Sequence, residues 1–171
     1  MKTLETERLL LREWQVEDAN DVYAYAKSEL VGPRAGWKPH TSVDESKEII
    51  AMFIRAHDTL AIVNKQNNTV VGSIGLHKTR KTMHETDFEL GYVLSEDYWG
   101  QGIIPEAAKA VIAYAKEELG CKRMLVAHFP GNEQSKRVIE KLGFTYAEKQ
   151  EAAYQRYDGV MMDEFVYTMD L

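Results

Sequence analysis

Gly100 and Gly102 stand one residue apart in YWGQGIIPEAAKA (98–110), ahead of Pro105 and an alanine-rich run. Glycine lets other atoms approach the main chain closely, and proline suits a first helical turn, where its missing N–H costs little. The spacing predicts a helix entered through bare backbone, with the N–H groups of Gln101, Gly102, Ile103 and Ile104 free at its positive end. Such an end holds anionic oxygens, those of phosphate in particular. A dinucleotide fingerprint would need a third glycine at 105 and a strand running directly into the turn, but Pro105 stands there and SEDYW (95–99) intervenes. A nucleotide-hydrolase phosphate loop would end in Gly-Lys-Ser/Thr, which GQGIIPE lacks. An ordinary loop entering a helix remains the alternative on this segment alone.

The segment NEQSKRVIEKLGF (132–144) has a complementary pattern. Asn132 reads as a helix N-cap, Val138, Ile139 and Leu142 point to a core, and Gly143 ends the helix before a strand at Phe144. The histidines, His40, His57, His77, His84 and His128, show no His-Glu-x-x-His or paired-cysteine spacing, so no metal site is expected. The single cysteine, Cys121, cannot make an internal disulfide and precedes a β-rich run, where a small buried hydrophobe fits.

The elements that must position these segments follow from periodicity. TERLLLREW (6–14) reads as a first strand and VEDANDVYAYAKS (16–28) as a helix with Val22, Tyr25 and Ala26 on one stripe. A loop, ELVGPRAGWKPHT, follows. Ser42 and Glu45 have capping-box spacing, and Ile49, Ile50, Phe53 and Ile54 recur at helical intervals, which predicts a helix over about 42–57. TLAIVNK and TVVGSIGLHK make a hairpin around QNN, and TDFELGYVLS (86–95) alternates as a fourth strand. Gly91 inside that strand predicts a bulge. The helix after the glycines runs to about Leu119, RMLVAHF is a strand, and two closing strands lie around FTYAEKQEA and DEFVYTMD. The runs KTRK and EKQE read as solvated turns. Strands and helices are mixed throughout, with no repeat or linker, so one α/β domain over 1–171 is expected.

Composition narrows the function. A chain of 171 residues can bury roughly 70% of its unfolded surface. A formal net charge of −6 disfavours nucleic acid and suits a cationic partner such as an amine. No eighteen apolar residues run together, and the apolar stretch near the start carries Glu5, Glu7 and Arg8, so neither a membrane span nor a secretory signal is expected, and the location reads as cytoplasmic.

Taken together, TERLLLRE, ELGYVL, YWGQGIIPEA and NEQSKRVIEKLGF, in this order, resemble the GNAT superfamily of acyl-CoA-dependent N-acetyltransferases, in particular the Rim-type branch that includes ribosomal-protein N-terminal acetyltransferases. The likeness covers nearly the whole chain. It implies an α/β (α+β) fold with a mixed, mostly antiparallel seven-stranded sheet, helices on both faces and splayed fourth and fifth strands. It also implies acetyl-CoA as acetyl donor, no metal, and an amine acceptor attacking directly in a ternary complex. The family's pyrophosphate pattern, Gln/Arg-x-x-Gly-x-Gly/Ala, falls on Trp99 to Ile104, where Gly102 matches and Trp99 and Ile104 depart; the phosphate ligands would be main-chain N–H groups of Gly100, Gln101, Gly102, Ile103 and Ile104. Main-chain groups of Tyr92, Val93 and Leu94 would hold the pantetheine amides and the thioester oxygen. Asn132 and Ser135 would lie beside the donor, and Lys136 or Arg137 would meet its 3′-phosphate or form a solvated helix face.

For the chemistry, an amine must lose a proton before it attacks, and Glu89, on the strand face opposite Phe88 and Leu90, reads as the base or else as an anchoring carboxylate; Ser135, which matches the serine of the Rim-type branch, would donate a proton to the leaving thiolate or else cap the helix. Ile139 occupies the position often held by a tyrosine. Trp37 and His40 border the acceptor pocket or plug the core over it. The acceptor, a protein N-terminus or a small-molecule amine, stays open, and a homodimer is compatible. The rival reading is a noncatalytic acyl-CoA-binding sensor or interaction module.

Overall fold

The computed structural model describes residues 1–79 and 81–171. Eight strands form one sheet: β1 (Leu4–Glu5), β2 (Leu9–Arg12), β3 (Thr59–Asn64), β4 (Thr69–His77), β5 (Asp87–Leu94), β6 (Arg123–His128), β7 (Thr145–Gln155) and β8 (Met161–Asp170), in the order β1-β2-β3-β4-β5-β6-β8-β7. Among the described residues four α-helices accompany them: α1 (Ala19–Ala26), α2 (Val43–Ala56), α3 (Ile103–Glu118) and α4 (Glu133–Lys141). The eighth strand is a correction to the expected seven. The first predicted strand shortens to β2, and the two-residue β1 doubles back on it, Leu4 opposite Leu11 and Glu5 opposite Leu10. So short an element is below the reach of a period-2 pattern.

Side chains alternate across β3, and that alternation builds two cores. Leu60 and Ile62 join Leu9, Leu11, Ile74 and Leu76 beneath Ala107, Ala108 and Val111 of α3 and Ile139 of α4. Ala61 and Val63 join Val22, Tyr25 and Ala26 of α1 and Ile50 of α2 on the opposite face. Helices thus cover both faces, as expected. The caps follow the sequence too. Ser42 Oγ accepts from Glu45 N at 3.1 Å, and Asn132 Oδ1 accepts from Ser135 N at 3.2 Å. Glu45, however, turns its carboxylate to Thr41 N and Oγ1 instead of completing a box on Ser42.

The ladder is antiparallel except between β5 and β6, which pair in parallel over Asp87–Arg123, Phe88–Met124 and Glu89–Leu125 only. Beyond Glu89 the two strands part. The bulge expected at Gly91 is absent, because β5 pairs with β4 without interruption from Gly72–Leu94 to His77–Glu89. The irregularity sits one strand over, where Ile62 faces Gly72 but Val63 faces Val70, leaving Val71 as the extra residue in β4. EKQE lies within β7 and forms no turn. In KTRK, Lys81 is buried against two carboxylates and not solvated, and Arg80 lies outside the described residues.

Candidate functional site

A cavity of about 880 Å³ opens where β5 and β6 separate and extends to both faces of the sheet. Gly100 and Gly102 form its entrance beside α3, with φ of 75° and 74°, in the left-handed region that favours glycine. Gly102 is the residue from which α3 starts, and among the described residues no turn or loop main-chain hydrogen bond is donated by the N–H groups of residues 100–104. Ile103 and Ile104 bury their side chains in the core, so they present backbone alone to the entrance.

A residue of the first strand pair fixes this loop. Arg8 Nη1 donates to the Gln101 carbonyl at 2.9 Å while its Nε donates to Glu106 Oε2 at 2.7 Å. Glu106 also accepts from Thr6 Oγ1 at 2.6 Å and from Arg8 N at 2.9 Å. Burial opposes ionisation of Glu106, but these donors outweigh it and hold the carboxyl below its ordinary value. A depressed folded pKa gives stability that is fully present above the unfolded pKa and is lost as pH falls through the folded one. Glu106→Gln is therefore expected to lower unfolding stability near neutral pH by about 1–2 kcal/mol, in the range of hydrogen bonds to a charged group. Urea unfolding checks this, and the gap from wild type should close as pH drops below the unfolded carboxyl's 4.5.

Along the gap, the phase of the ladder decides which main-chain groups are available. Ser95 N donates to Val71 O at 2.8 Å, so alternate residues of β5, Val93 among them, turn their polar groups toward β4. Val93 is thereby removed from the expected ligand set. Tyr92 and Leu94 face the gap, although Leu94 O already accepts from Trp99 Nε1 at 2.9 Å.

On the far side of the gap stands α4. Ser135 and Asn132 line the cavity as expected, and Asn132 Nδ2 also donates to Arg34 O at 3.3 Å. Gln134, Arg137, Val138 and Lys141 line it too, at the i, i+3, i+4, i+7 spacing of one helical face. Lys136 lies off that face, so Arg137 and Lys141 are the cations that α4 presents to the cavity. The spacing alone could have made that choice. Ile139 is fully buried in the core. What the sequence hid is a hydroxyl pair: Tyr92 Oη lies 2.8 Å from Ser135 Oγ, so a tyrosine from β5 reaches the serine of α4 across the opening. Burial pushes the Tyr92 hydroxyl up to about 12, against a smaller lowering by Ser135.

A family model of the acetyltransferase (GNAT) domain matches residues 8–145. The chain belongs to the GNAT acetyltransferases. The N-acetyltransferase p20 of Bacillus licheniformis is 26% identical over 174 residues, covering 99% of this chain and 96% of the relative. A GNAT-family acetyltransferase from Bacillus anthracis superposes with a TM-score of 0.87 at 24% identity, covering 99% of this chain and 98% of that one. Ribosomal-protein-S5-alanine acetyltransferase from Vibrio fischeri superposes at 0.79 with 20% identity, covering 99% and 97%. These superpositions show the GNAT fold.

The GNAT chain's other face of the cavity carries the groups expected to meet an acceptor. Trp37 lines it, but His40 does not. His40 is buried behind Trp37, 5.2 Å between ring centres, with Nδ1 2.8 Å from Ser46 Oγ on α2. Burial lowers its pKa, the effect expected of a packed core histidine. Glu89 lines the cavity with its carboxylate engaged: Lys81 Nζ lies 2.6 Å from Oε1 and Thr79 Oγ1 donates to Oε2 at 2.5 Å. Lys81 Nζ also meets Glu164 Oε2 at 3.0 Å. Among the described residues no group of three His, Cys, Asp or Glu side chains stands ready to hold a metal, and no helix is long and apolar enough to cross a membrane.

Proposed function

We propose that this GNAT protein transfers acetyl from acetyl-CoA to a primary amine, in the cytoplasm, by direct attack within a ternary complex. The observation that carries the proposal is that one cavity joins the bare N–H entrance at α3, the gap between β5 and β6, and a polar acceptor face. The residues present fit the donor: a side chain at Gly100 would meet open space, so its glycine serves the left-handed turn that aims N–H groups outward. When bound, acetyl-CoA supplies an acyl carbon activated as a thioester. Residues 100–104 would hold its pyrophosphate, Arg137 and Lys141 would balance its remaining charge, and Tyr92 and Leu94 would orient its arm through the main chain.

Tyr92 and Ser135 would hydrogen-bond the departing sulfur. A hydroxyl titrating at about 12 keeps its proton at neutral pH. A thiol's reference value is about 8.5, so full transfer from Tyr92 to the thiolate is uphill, and the tyrosine acts as a fixed donor that stabilises charge. Direct attack is supported by Cys121, the single thiol, which is buried, raised by that burial and bonded to Arg123 O. Such a thiol is no nucleophile. Glu89, held by Lys81 and Thr79, is better placed to anchor and charge the acceptor pocket than to take a proton.

The acceptor is a peptide N-terminus or a small-molecule amine, and the Vibrio fischeri neighbour's name makes an alanine-terminated peptide a first choice for assay. Thiol release from acetyl-CoA, measured with that peptide and a panel of small amines, tests the proposal. Tight CoA binding without amine-dependent release would overturn it in favour of a binding module. Within the same assay, Tyr92→Phe and Ser135→Ala should each lower turnover about tenfold, and the double variant should lose less than the product of the two, because the hydroxyls act as one network. The shape of the pH profile should not change with Tyr92→Phe, and a lost limb would make the tyrosine a true acid.

A further inference from the structure

Asp58 and His77 form a second polar pair on the acceptor face, hidden in the linear order by a separation of 19 positions. His77 ends β4 and stands directly opposite Glu89, on the face away from Leu76 and Leu90. Its Nδ1 lies 2.9 Å from Asp58 Oδ2. A carboxylate accepts, so Nδ1 carries the hydrogen, and in the neutral ring Nε2 keeps its lone pair. Asp58 is itself tied down: Thr59 Oγ1 donates to its Oδ1 at 3.0 Å, and Leu76 N donates to its main-chain carbonyl at 2.9 Å.

The ring lies across two glycines. A Cβ at Gly75 would come within 2.8 Å of His77 Nε2, and one at Gly91 within 3.0 Å. Gly91, expected to mark a bulge, thus gives the imidazole its bed on a regular strand. His77, Gly75 and Gly91 all line the cavity, and the residue after Gly91 is Tyr92, which turns its main chain to the gap. The groups facing the ring are Asp58 from the turn before β3 and Glu89 from β5. Beyond Glu89 lie Lys81 from the β4–β5 loop and Glu164 from β8.

We propose that His77, oriented by Asp58, takes the proton from the acceptor amine, while Glu89 and Lys81 set the charge of the pocket. This rests on the transferase reading above. An N–H bond of the ammonium breaks, its electron pair stays on nitrogen for attack, and the proton passes to Nε2. The imidazolium is stabilised by the Asp58 carboxylate and returns its proton to solvent after each turnover. An imidazole, with a reference value of about 6.5, matches this task near neutral pH, whereas a carboxylate at about 4.3 is a far weaker acceptor.

The test measures thiol release from acetyl-CoA with an alanine-terminated peptide and with benzylamine across pH, alongside slow hydrolysis of acetyl-CoA with no amine present. His77→Gln is expected to lower kcat about a hundredfold for amine and to slow the hydrolysis, removing the acidic limb and leaving CoA affinity intact. Asp58→Asn should cost about tenfold and move the limb to lower pH, because the imidazolium loses its countercharge. Glu89→Gln should raise the amine KM and keep the limb. A His77→Gln enzyme with normal kcat and limb, or a Glu89→Gln enzyme without the limb, would overturn the assignment. Two-bond ¹H–¹⁵N spectra read the tautomer separately. Hydrogen on Nδ1 is expected, and hydrogen on Nε2 in the neutral ring overturns the pairing even if no amine is accepted. Absence of amine-dependent release with CoA still bound counts against the transferase reading, and the spectra then judge the pair alone.

Discussion

Replacing Gly102 with valine is expected to raise the dissociation constant for coenzyme A about thirtyfold, or roughly 2 kcal/mol. The residue has φ of 74°, and a β-branched side chain held there costs on the order of 1–3 kcal/mol. In the free protein little of that strain need persist. The nearest group to an added Cβ is Arg8 Nη2 at 3.6 Å, an ordinary contact, so the loop can relax toward negative φ while the fold stays intact. Binding is expected to restore the left-handed turn, which sets the direction of the N–H groups at the start of α3. The strain therefore falls on affinity, and it comes with the bulk of a branched side chain at the edge of the cradle. Titration calorimetry on a variant with wild-type circular dichroism checks this. Unchanged affinity would mean that the phosphates are held elsewhere.

Gly72→Ala should do more damage to folding than any other single methyl in the sheet. The added Cβ would lie 2.2 Å from Val93 O, 3.1 Å from Leu94 Cα and 3.2 Å from Val93 C. All three belong to the main chain of β5, so relief requires β4 and β5 to spread, and they are joined over six consecutive pairs. A bulge at Val71 on the other edge of β4 already fixes the position of this residue. The expected loss is about 4 kcal/mol, in the class reserved for a broken backbone arrangement. Urea unfolding measures it, and a loss under about 1 kcal/mol would show that the bulge can absorb the methyl. Gly100 offers the contrast: its added Cβ would meet nothing within 4 Å, so alanine there bears on loop geometry and not on packing.

Local patterns announced the elements that depend on local rules. Asn132 capped α4, Ser42 capped α2, and two glycines opened α3, because caps and left-handed turns are written in adjacent residues. The alternation of residues 86–95 gave β5 nearly to its ends. Signals failed where the deciding contact is remote. A glycine within a strand makes room for something, and nothing near Gly91 in sequence says that the something is the ring of His77. Lys81 looked solvated among charged neighbours, yet it is buried by Glu164, more than eighty residues away. The missing tyrosine of α4 could not be located by searching α4, since its hydroxyl arrives from β5.

The three-pair contact between β5 and β6 also has a mechanical meaning. The sheet consists of two leaves, β1–β5 and β6–β8, stitched at one end like pages at a spine. His77 rides on the first leaf and Ser135 on α4, which lies between β6 and β7 of the second, so the angle between leaves sets the distance between these two groups. In the free protein several contacts cross between the leaves, among them Tyr92 to Ser135 and Lys81 to Glu164. A donor arm lying in the crease, taking hydrogen bonds from the edge that β6 leaves unpaired, would serve as the missing rungs. The donor would then act as a structural member as well as a reactant, setting the separation of the groups that act on it.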